Sequence, residues 1–445
     1  MIPVASDCVI LGAGAAGLAA AVRLVQAGRR PLILEAAPRP GGRVRSHADS
    51  LLGEELDNGP HLLVGACREA LDLLKILDTQ RLMTAAAGLA LAWWTPDAGH
   101  YRLQAPAWPA PWHLAAALWR FSPLSVRERL SALRLGLALA RGRGPPPDWT
   151  VTQWLQATGQ TPTLLRRLWG PLCLALLNEP PASASALLYH AVLGRILLGP
   201  PDHAGQWLPR APWSRILADP AMAFVVQRGG AVACRVRVSA LELQDGRVTG
   251  VMTSRGPICA TGVVISALPE RALVRLVSPW WRRPETGTAV ESPIVSVHLR
   301  YPVPGRLPAP LVGLPAGVSQ WLVERGDPAD SDLLGSGGAR LSAVISAAYR
   351  EIHWPSRRLI DTVHGEVTAL LPHLAGTAPL GRVLREWRAT RAAWPDQATT
   401  RPGPVTPWAN LWLAGDWTAT GLPATIEGAV ASGRRAAGLA LERLS

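Results

Sequence analysis

The chain opens on a short apolar run, Cys8-Val9-Ile10-Leu11, of the kind that fills a parallel strand buried on both faces. A glycine-rich turn from Gly12 to Gly17 follows, then an Ala/Leu-rich helix to Gln26 with a stop at Gly28. Leu32-Ile33-Leu34 reads as a second buried strand and ends in Glu35. Strand patterning returns far downstream. Val232 to Val238, Leu241 to Leu243, Val248 to Val251 and Val263 to Ile265 read as strands around an Asp245-Gly246 turn. Asn410 to Ala414 is a last apolar strand, and Gly421 to Gly428 opens a terminal helix with Pro423 near its first turn.

Two long insertions separate these pieces. Residues 67–219 are mostly helical by pattern. Ser125-Val126-Arg127-Glu128 matches a capping box for a helix to about Arg141, which Gly144 and Pro145-Pro146-Pro147 end. Thr161-Pro162 starts another helix, carrying Leu164, Leu165, Leu168, Leu172, Leu176 and Leu177, and Asp219-Pro220 caps a third. The second insertion, about 271–385, has strand-like Ile294 to Leu299 and Leu341 to Ala347, then a helix near Ser356–Leu371. No internal repeat is visible.

Composition narrows the class. A length of 445 residues suggests three domains at roughly 150 residues each, and an interleaved two-domain enzyme fits equally well. Hydrophobic residues reach 48 % and charged ones 17 %, so material for a large core is ample. The 42 glycines and 41 prolines stay below the ~25–30 % that marks low complexity. Disorder, collagen and small disulfide scaffolds are excluded.

The net charge of +13 invites a nucleic-acid reading, but Lys75 is the only lysine and the arginines are scattered rather than blocked. An anionic membrane surface is the better use of that charge, and no nucleic-acid partner is expected. Cys8, Cys67, Cys173, Cys234 and Cys259 show no CxxC pair and no metal-ligand spacing, so they read as reduced and buried, with no metal, in a cytoplasmic protein. No cationic leader with a cleavage site and no run of about 18 apolar residues is present.

The first sixty residues carry the chemistry. Strand, glycine turn, helix, strand and acid stand in the order of a dinucleotide fingerprint. Gly12 permits the tight turn, Gly14 lets backbone approach a pyrophosphate, and Gly17 lets helix and strand pack closely. The helix start at Ala15 and Ala16 offers N–H groups and positive potential to phosphates. Glu35, 18 residues after Gly17, can accept hydrogen bonds from an adenosine ribose.

Pro38-Arg39-Pro40-Gly41-Gly42-Arg43 resembles the glycine doublet that extends this fingerprint in FAD enzymes of the amine oxidase and phytoene desaturase type. The resemblance implies an α/β fold: a Rossmann-type FAD-binding domain (amine oxidase / GR2-like) interleaved with a mixed α+β substrate domain. FAD would be bound by residues 1–66, 220–270 and 386–445, with 67–219 as a helical substrate or membrane insertion and 271–385 as the rest of the substrate domain. It also implies that Gly42 and Arg43 pass the pyrophosphate and that Gly415-Asp416 contacts the pyrophosphate and ribityl region. Val238 would touch adenine through its backbone. Pro423, Ala424, Thr425 and Ile426 would aim a helix N-terminus at the flavin edge where negative charge collects on reduction.

A narrower resemblance follows from Asp57-Asn58-Gly59-Pro60-His61-Leu62-Leu63-Val64-Gly65, Leu168-Trp169-Gly170-Pro171-Leu172-Cys173 with Asn178, Leu217-Ala218-Asp219-Pro220, and the run from Gly415 to Gly428. These resemble the squalene-associated FAD-dependent desaturases, better described as hydroxysqualene dehydroxylases of bacterial hopanoid pathways. The family often has Gln where Pro60 stands, and Ala392-Ala393-Trp394 matches only part of its arginine-plus-aromatic segment. The resemblance implies reductive removal of the allylic hydroxyl of hydroxysqualene, giving squalene and water, with reduced non-covalent FAD as hydride donor. Gly59 and Pro60 would approach the flavin. His61 becomes the candidate acid, or hydrogen-bond donor to the substrate oxygen, and Asp57 the group that orients it or anchors its loop.

The implied partners are hydroxysqualene or a similar long isoprenoid, an electron donor of unspecified kind, upstream squalene-pathway enzymes, and the inner face of the bacterial cytoplasmic membrane. Residues 100–143 are the candidate membrane segment, because Trp108, Trp112, Trp119 and Phe121 accompany seven arginines against one acid, Glu128. Three rivals stay open: a carotenoid-type desaturase running the same cofactor oxidatively, an amine oxidase, and a flavin-free isoprenoid escort protein.

Overall fold

The computed structural model describes residues 3–106, 108, 112–277, 289–326 and 338–444. Two seven-stranded sheets organise them. In the first, Ala231–Ala233, Leu32–Leu34, Ala5–Leu11, Gly256–Ser266 and Leu411–Leu413 run parallel in that order. Arg247–Thr253 and Val238–Gln244 extend it as an antiparallel hairpin. Its central strands are apolar on both faces because helices cover one face and the hairpin side the other, as a parallel sheet requires.

The two chain ends meet here. The Ala15–Gln26 helix packs on the terminal Ile426–Leu444 helix, and a Cβ at Gly433 would stand 2.0 Å from the Ala16 carbonyl oxygen, so only glycine allows that approach. The expected Val232-to-Val238 strand is in fact two elements. Arg235 has φ +58°, a turn that ends the parallel strand at Ala233 and lets Val238 start the hairpin.

The second sheet is mostly antiparallel, in the order Leu380–Arg391, Glu291–Arg300, Arg340–Ile345, Trp321–Glu324, Leu311–Gly313, Ala90–Thr95, Gly99–Gln104. The last two strands come from the stretch read as mostly helical, and Leu380–Arg391 runs across position 385. On Glu291–Arg300 the odd residues Val295, Val297 and Leu299 enter a core with the Ser356–Leu370 helix. The even residues Ile294 and Ser296 face a cavity. Period-two alternation thus divides packing from chemistry. The Ser46–Asp57 hairpin is locked to this sheet by Arg325–Glu54 at 2.6 Å, Arg382–Asp49 at 2.5 Å and an Arg300 bond to the Leu52 carbonyl.

The capping box at Ser125 and Glu128 forms, and the helix runs Val126–Ala140. Thr161 caps a helix from Pro162, which passes through a π-turn at Leu165–Trp169 into Gly170–Leu177. A second π-turn, Ser214–Ala218, runs straight into Asp219–Gln227. Asp219 therefore sits inside a helix and caps nothing. Both widened turns precede a proline, Pro171 or Pro220, whose missing N–H and bulky ring a regular turn would not accept.

Candidate functional site

A cavity of about 1290 Å³ opens where the carboxyl ends of the parallel strands face the second sheet and the helices of the first insertion. Its walls include Gly12, Gly14, Ala15, Ala16, Glu35, Gly42, Arg43, Gly59, Pro60, His61, Val238, Gly415, Asp416, Pro423, Ala424, Thr425 and Ile426. These come from four separate stretches of sequence. Gly17 and Asp57 are off the wall.

The glycines test whether a dinucleotide fits. Gly12 has φ +98°, and a Cβ there would stand 2.9 Å from the Ala267 carbonyl oxygen. At Gly17 a Cβ would stand 2.0 Å from the Gly12 carbonyl oxygen, so its role is packing. Gly14 differs: a Cβ would meet nothing within 4 Å, and the space in front of it is the cavity. The helix behind it has no side-chain cap and no acid in its first turn, which leaves N–H groups directed at that space. Gly41 donates its N–H to the Ala13 carbonyl at 2.8 Å, and a Cβ at Gly42 would press on the Gly14 Cα at 3.2 Å. The glycine doublet is therefore built against the fingerprint turn. The residues fit the two phosphates of a dinucleotide.

Three of the expected contacts are engaged with protein atoms. Glu35 accepts from the backbone N–H of Ala13 at 2.8 Å and of Ala37 at 2.7 Å, so its carboxylate holds the turn while lining the cavity. Arg43 pairs with Asp416 at 2.6 Å and donates to the Ala389 carbonyl, joining N-terminal and C-terminal motifs across the site. Behind Asp416 the buried Arg401 donates to the carbonyls of Asp416 and Leu422, and burial pushes it down to about 10. Nothing in the spacing of the sequence singles out Arg401. Glu427 accepts from the N–H groups of Glu69 and Ala70 and so caps the Arg68–Ile76 helix from outside. Burial raises its carboxyl above the ordinary range.

The polar wall over the cavity is small. His61 stands on it with Nδ1 buried and, among the described residues, without a hydrogen-bond partner. Burial pushes His61 down to about 4, partly offset by a hydrogen bond with the Gly59 backbone, and the Arg43 charge adds to the depression. At neutral pH the ring is uncharged, so it offers one N–H and one lone pair rather than an imidazolium. Asp57 does not bond His61. Its Oδ1 accepts from Ser46 Oγ at 2.6 Å and from the Trp213 N–H at 2.8 Å, while the Trp213 indole donates to the His61 carbonyl at 3.1 Å. Asp57 therefore anchors the loop through Trp213, and burial pushes its carboxyl up to about 6.

Other polar wall residues have no role expected from the sequence, although Asn58 and Asn178 lie within the quoted motifs. Asn58 donates to Glu386 at 2.8 Å, Asn178 donates to Thr390 at 3.0 Å, and Ser296 Oγ is buried without a partner among the described residues. All five lie along the cavity. The helical insertion contributes mainly Leu, Ala, Val, Ile and Trp to the wall, together with Arg195 and Gln206. Lys75 is exposed on the Arg68–Ile76 helix and off the cavity wall. Cys259 is exposed rather than buried, because it lies on a strand position turned to solvent. Phe121 is fully buried in the helical core with Trp93 and Tyr101, and leaves the set of candidate membrane residues.

Comparison with known proteins agrees with this architecture. The family model "flavin containing amine oxidoreductase" matches residues 15–441. A hydroxysqualene dehydroxylase from Rhodopseudomonas palustris is 34 % identical over 436 residues, 97 % of each chain. One from Sinorhizobium fredii is 32 % identical, again over 97 % of each. An oxidoreductase structure from Methanosarcina mazei superposes with a TM-score of 0.74 at 18 % identity, covering 96 % of this chain and 98 % of that one. The chain belongs to the flavin-containing amine oxidoreductases, and within them to the hydroxysqualene dehydroxylase family.

Proposed function

We propose that the protein removes the allylic hydroxyl of hydroxysqualene reductively, releasing squalene and water. The observation that carries this reading is a dinucleotide cradle that opens directly into an apolar cavity with few polar groups, in a chain related end to end to hydroxysqualene dehydroxylases. FAD is the proposed cofactor, held without a covalent bond. The Ala15–Gln26 helix N-terminus and Gly14 receive its pyrophosphate, Glu35 its ribose, the Val238 backbone its adenine, and the start of the Ile426–Leu444 helix the flavin ring. Reduced FAD, when bound, supplies the hydride that takes the hydroxyl's place.

The chain's own residues do the remaining work. The apolar walls hold a thirty-carbon chain and keep water from the reacting carbon. Its transfer from water is worth about 0.8 kcal/mol per CH₂-sized group, about 20 kcal/mol gross. The neutral His61 ring donates an N–H hydrogen bond to the substrate oxygen and steadies it as it departs, while the proton that completes the released water is the one the reduced cofactor gives up along with its hydride. Asp57 is a positioning residue that acts through Trp213. Because the same hydrocarbon is already stable in lipid, the protein works peripherally on the inner face of the cytoplasmic membrane and takes substrate from it.

Purified yellow protein, given a chemical reductant and hydroxysqualene without oxygen, is expected to yield squalene by mass spectrometry. Acid precipitation is expected to release the colour to the supernatant. Recovery of unchanged hydroxysqualene from fully reduced protein would overturn the reading, and colour kept in the pellet would overturn the non-covalent bond.

A further inference from the structure

The Val126–Ala140 helix presents two unusual surfaces side by side. Val126, Leu130, Leu133 and Leu137 recur at helical spacing and form one stripe, opposite the buried Ala132, Leu135 and Leu139. Most of that stripe is open to solvent, with Val126 55 % and Leu137 51 % exposed, while Leu133 is half-buried. Trp112 and Trp119 on the neighbouring Trp112–Arg120 helix are 65 % and 53 % exposed. Exposed arginines, Arg120, Arg127, Arg134 and Arg141, surround the patch. Glu128, the one acid of residues 100–143, is turned back to cap its own helix.

The second surface is the cavity mouth. Trp112, Leu133, Gly136, Leu137, Ala140 and Leu198 all line the cavity. Four of them are exposed, so wall and surface coincide at Trp112, Leu137, Ala140 and Leu198. Gly136 stands in the middle of the helix with normal helical backbone, and among the described residues a Cβ there would meet nothing within 4 Å. The packing that forces glycine at Gly17 or Gly433 is missing. What the missing side chain leaves is clear space beside the mouth.

We propose that this face docks on an anionic phospholipid bilayer and that the hydrocarbon enters the cavity past Gly136. Charge complementarity selects the occupant: arginines around exposed tryptophans and leucines suit lipid phosphates above acyl chains. Continuity of the apolar rim with the cavity supplies the path, since a chain moving from lipid to cavity never crosses water. The path rests on the dehydroxylase reading, whereas the docking does not.

The test uses the full-length flavoprotein and vesicles of phosphatidylglycerol with phosphatidylethanolamine, against phosphatidylcholine alone. Flotation of the wild type is expected with the anionic vesicles, weakening at least severalfold with added salt or with phosphatidylcholine. The double substitution Trp112→Ser with Leu137→Ser, both at exposed positions, is expected to keep flavin and lose at least tenfold in vesicle binding. Gly136→Phe is expected to float like the wild type and keep flavin, while turnover of vesicle-borne hydroxysqualene drops more than tenfold. Gly136→Ala should turn over normally. Equal flotation of the double variant would overturn the docking face, and normal turnover by Gly136→Phe would overturn the path. Wild-type protein that floats but makes no squalene would contradict the dehydroxylase reading while leaving the docking face intact.

Discussion

The cofactor cradle and the cavity mouth both present a glycine with empty space where a side chain would be, yet the two are built in opposite ways. Around Gly14 the protein is over-determined. Gly12, Gly17 and Gly42 are each forced by a contact of 3.2 Å or less to neighbouring atoms, and Glu35, Arg43 and Asp416 tie the turn to distant segments. Around Gly136 the constraint is loose: a helix with its apolar stripe facing solvent and arginines at its edge. A rigid site suits a cofactor that stays, and a loosely packed apolar rim suits a chain that passes through.

The comparison breaks most sharply at the two open glycines. Gly14→Val is expected to leave the fold intact, because its Cβ meets no protein atom, and to abolish FAD binding outright. Purified variant without colour but with wild-type circular dichroism is the expected result. Colour in that variant would move the pyrophosphate elsewhere. A bulky residue at Gly136 is expected to leave the colour unchanged.

Asp57 offers the next largest effect. Asp57→Ala strands the Ser46 hydroxyl and the Trp213 N–H, at a cost on the order of 2 kcal/mol in urea denaturation. Asp57→Asn keeps an acceptor oxygen and changes only the titration. Burial pushes the folded carboxyl up from 3.8 to about 6, so the folded state binds the proton more tightly than the unfolded chain. Wild-type stability should therefore fall, relative to Asp57→Asn, as pH rises from about 4 through 6, and run parallel to it above that window. Parallel curves across the whole range would remove the buried carboxyl from the account.

His61 gives a smaller effect with a distinctive signature. His61→Ala is expected to keep FAD and slow single turnover tenfold or more. With the folded ring pushed down to about 4, the wild-type rate should show no His61 titration between pH 6 and 8. A rate falling tenfold per pH unit over that range would mean that an imidazolium does the work instead.

Legibility in the sequence followed the same divide. The cradle was readable because its residues sit at fixed short spacings around strand ends: every expected cofactor residue but Gly17 lines the cavity, and Gly17 packs the turn beneath it. Ser296, Glu386 and Arg401 were not readable, because each comes to the site through strand register or a distant loop and carries no local pattern, whereas Asn178 stood in a motif without an assigned role. Asp219-Pro220 misled for a physical reason: a π-turn accommodates the proline, so the usual helix-start signal falls inside a helix. At the mouth the aromatic and arginine content was visible, but only the fold separates Phe121, in the core, from Trp112 and Trp119, on the surface.

The direction of electron flow separates a dehydroxylase from a desaturase on the same scaffold. Parallel oxygen-free incubations of fully reduced and fully oxidised protein with hydroxysqualene test it in one step. Squalene is expected from the reduced protein alone, one molecule per flavin oxidised, and unchanged substrate from the oxidised protein. Product that carries an additional double bond, formed only by the oxidised protein, would contradict it.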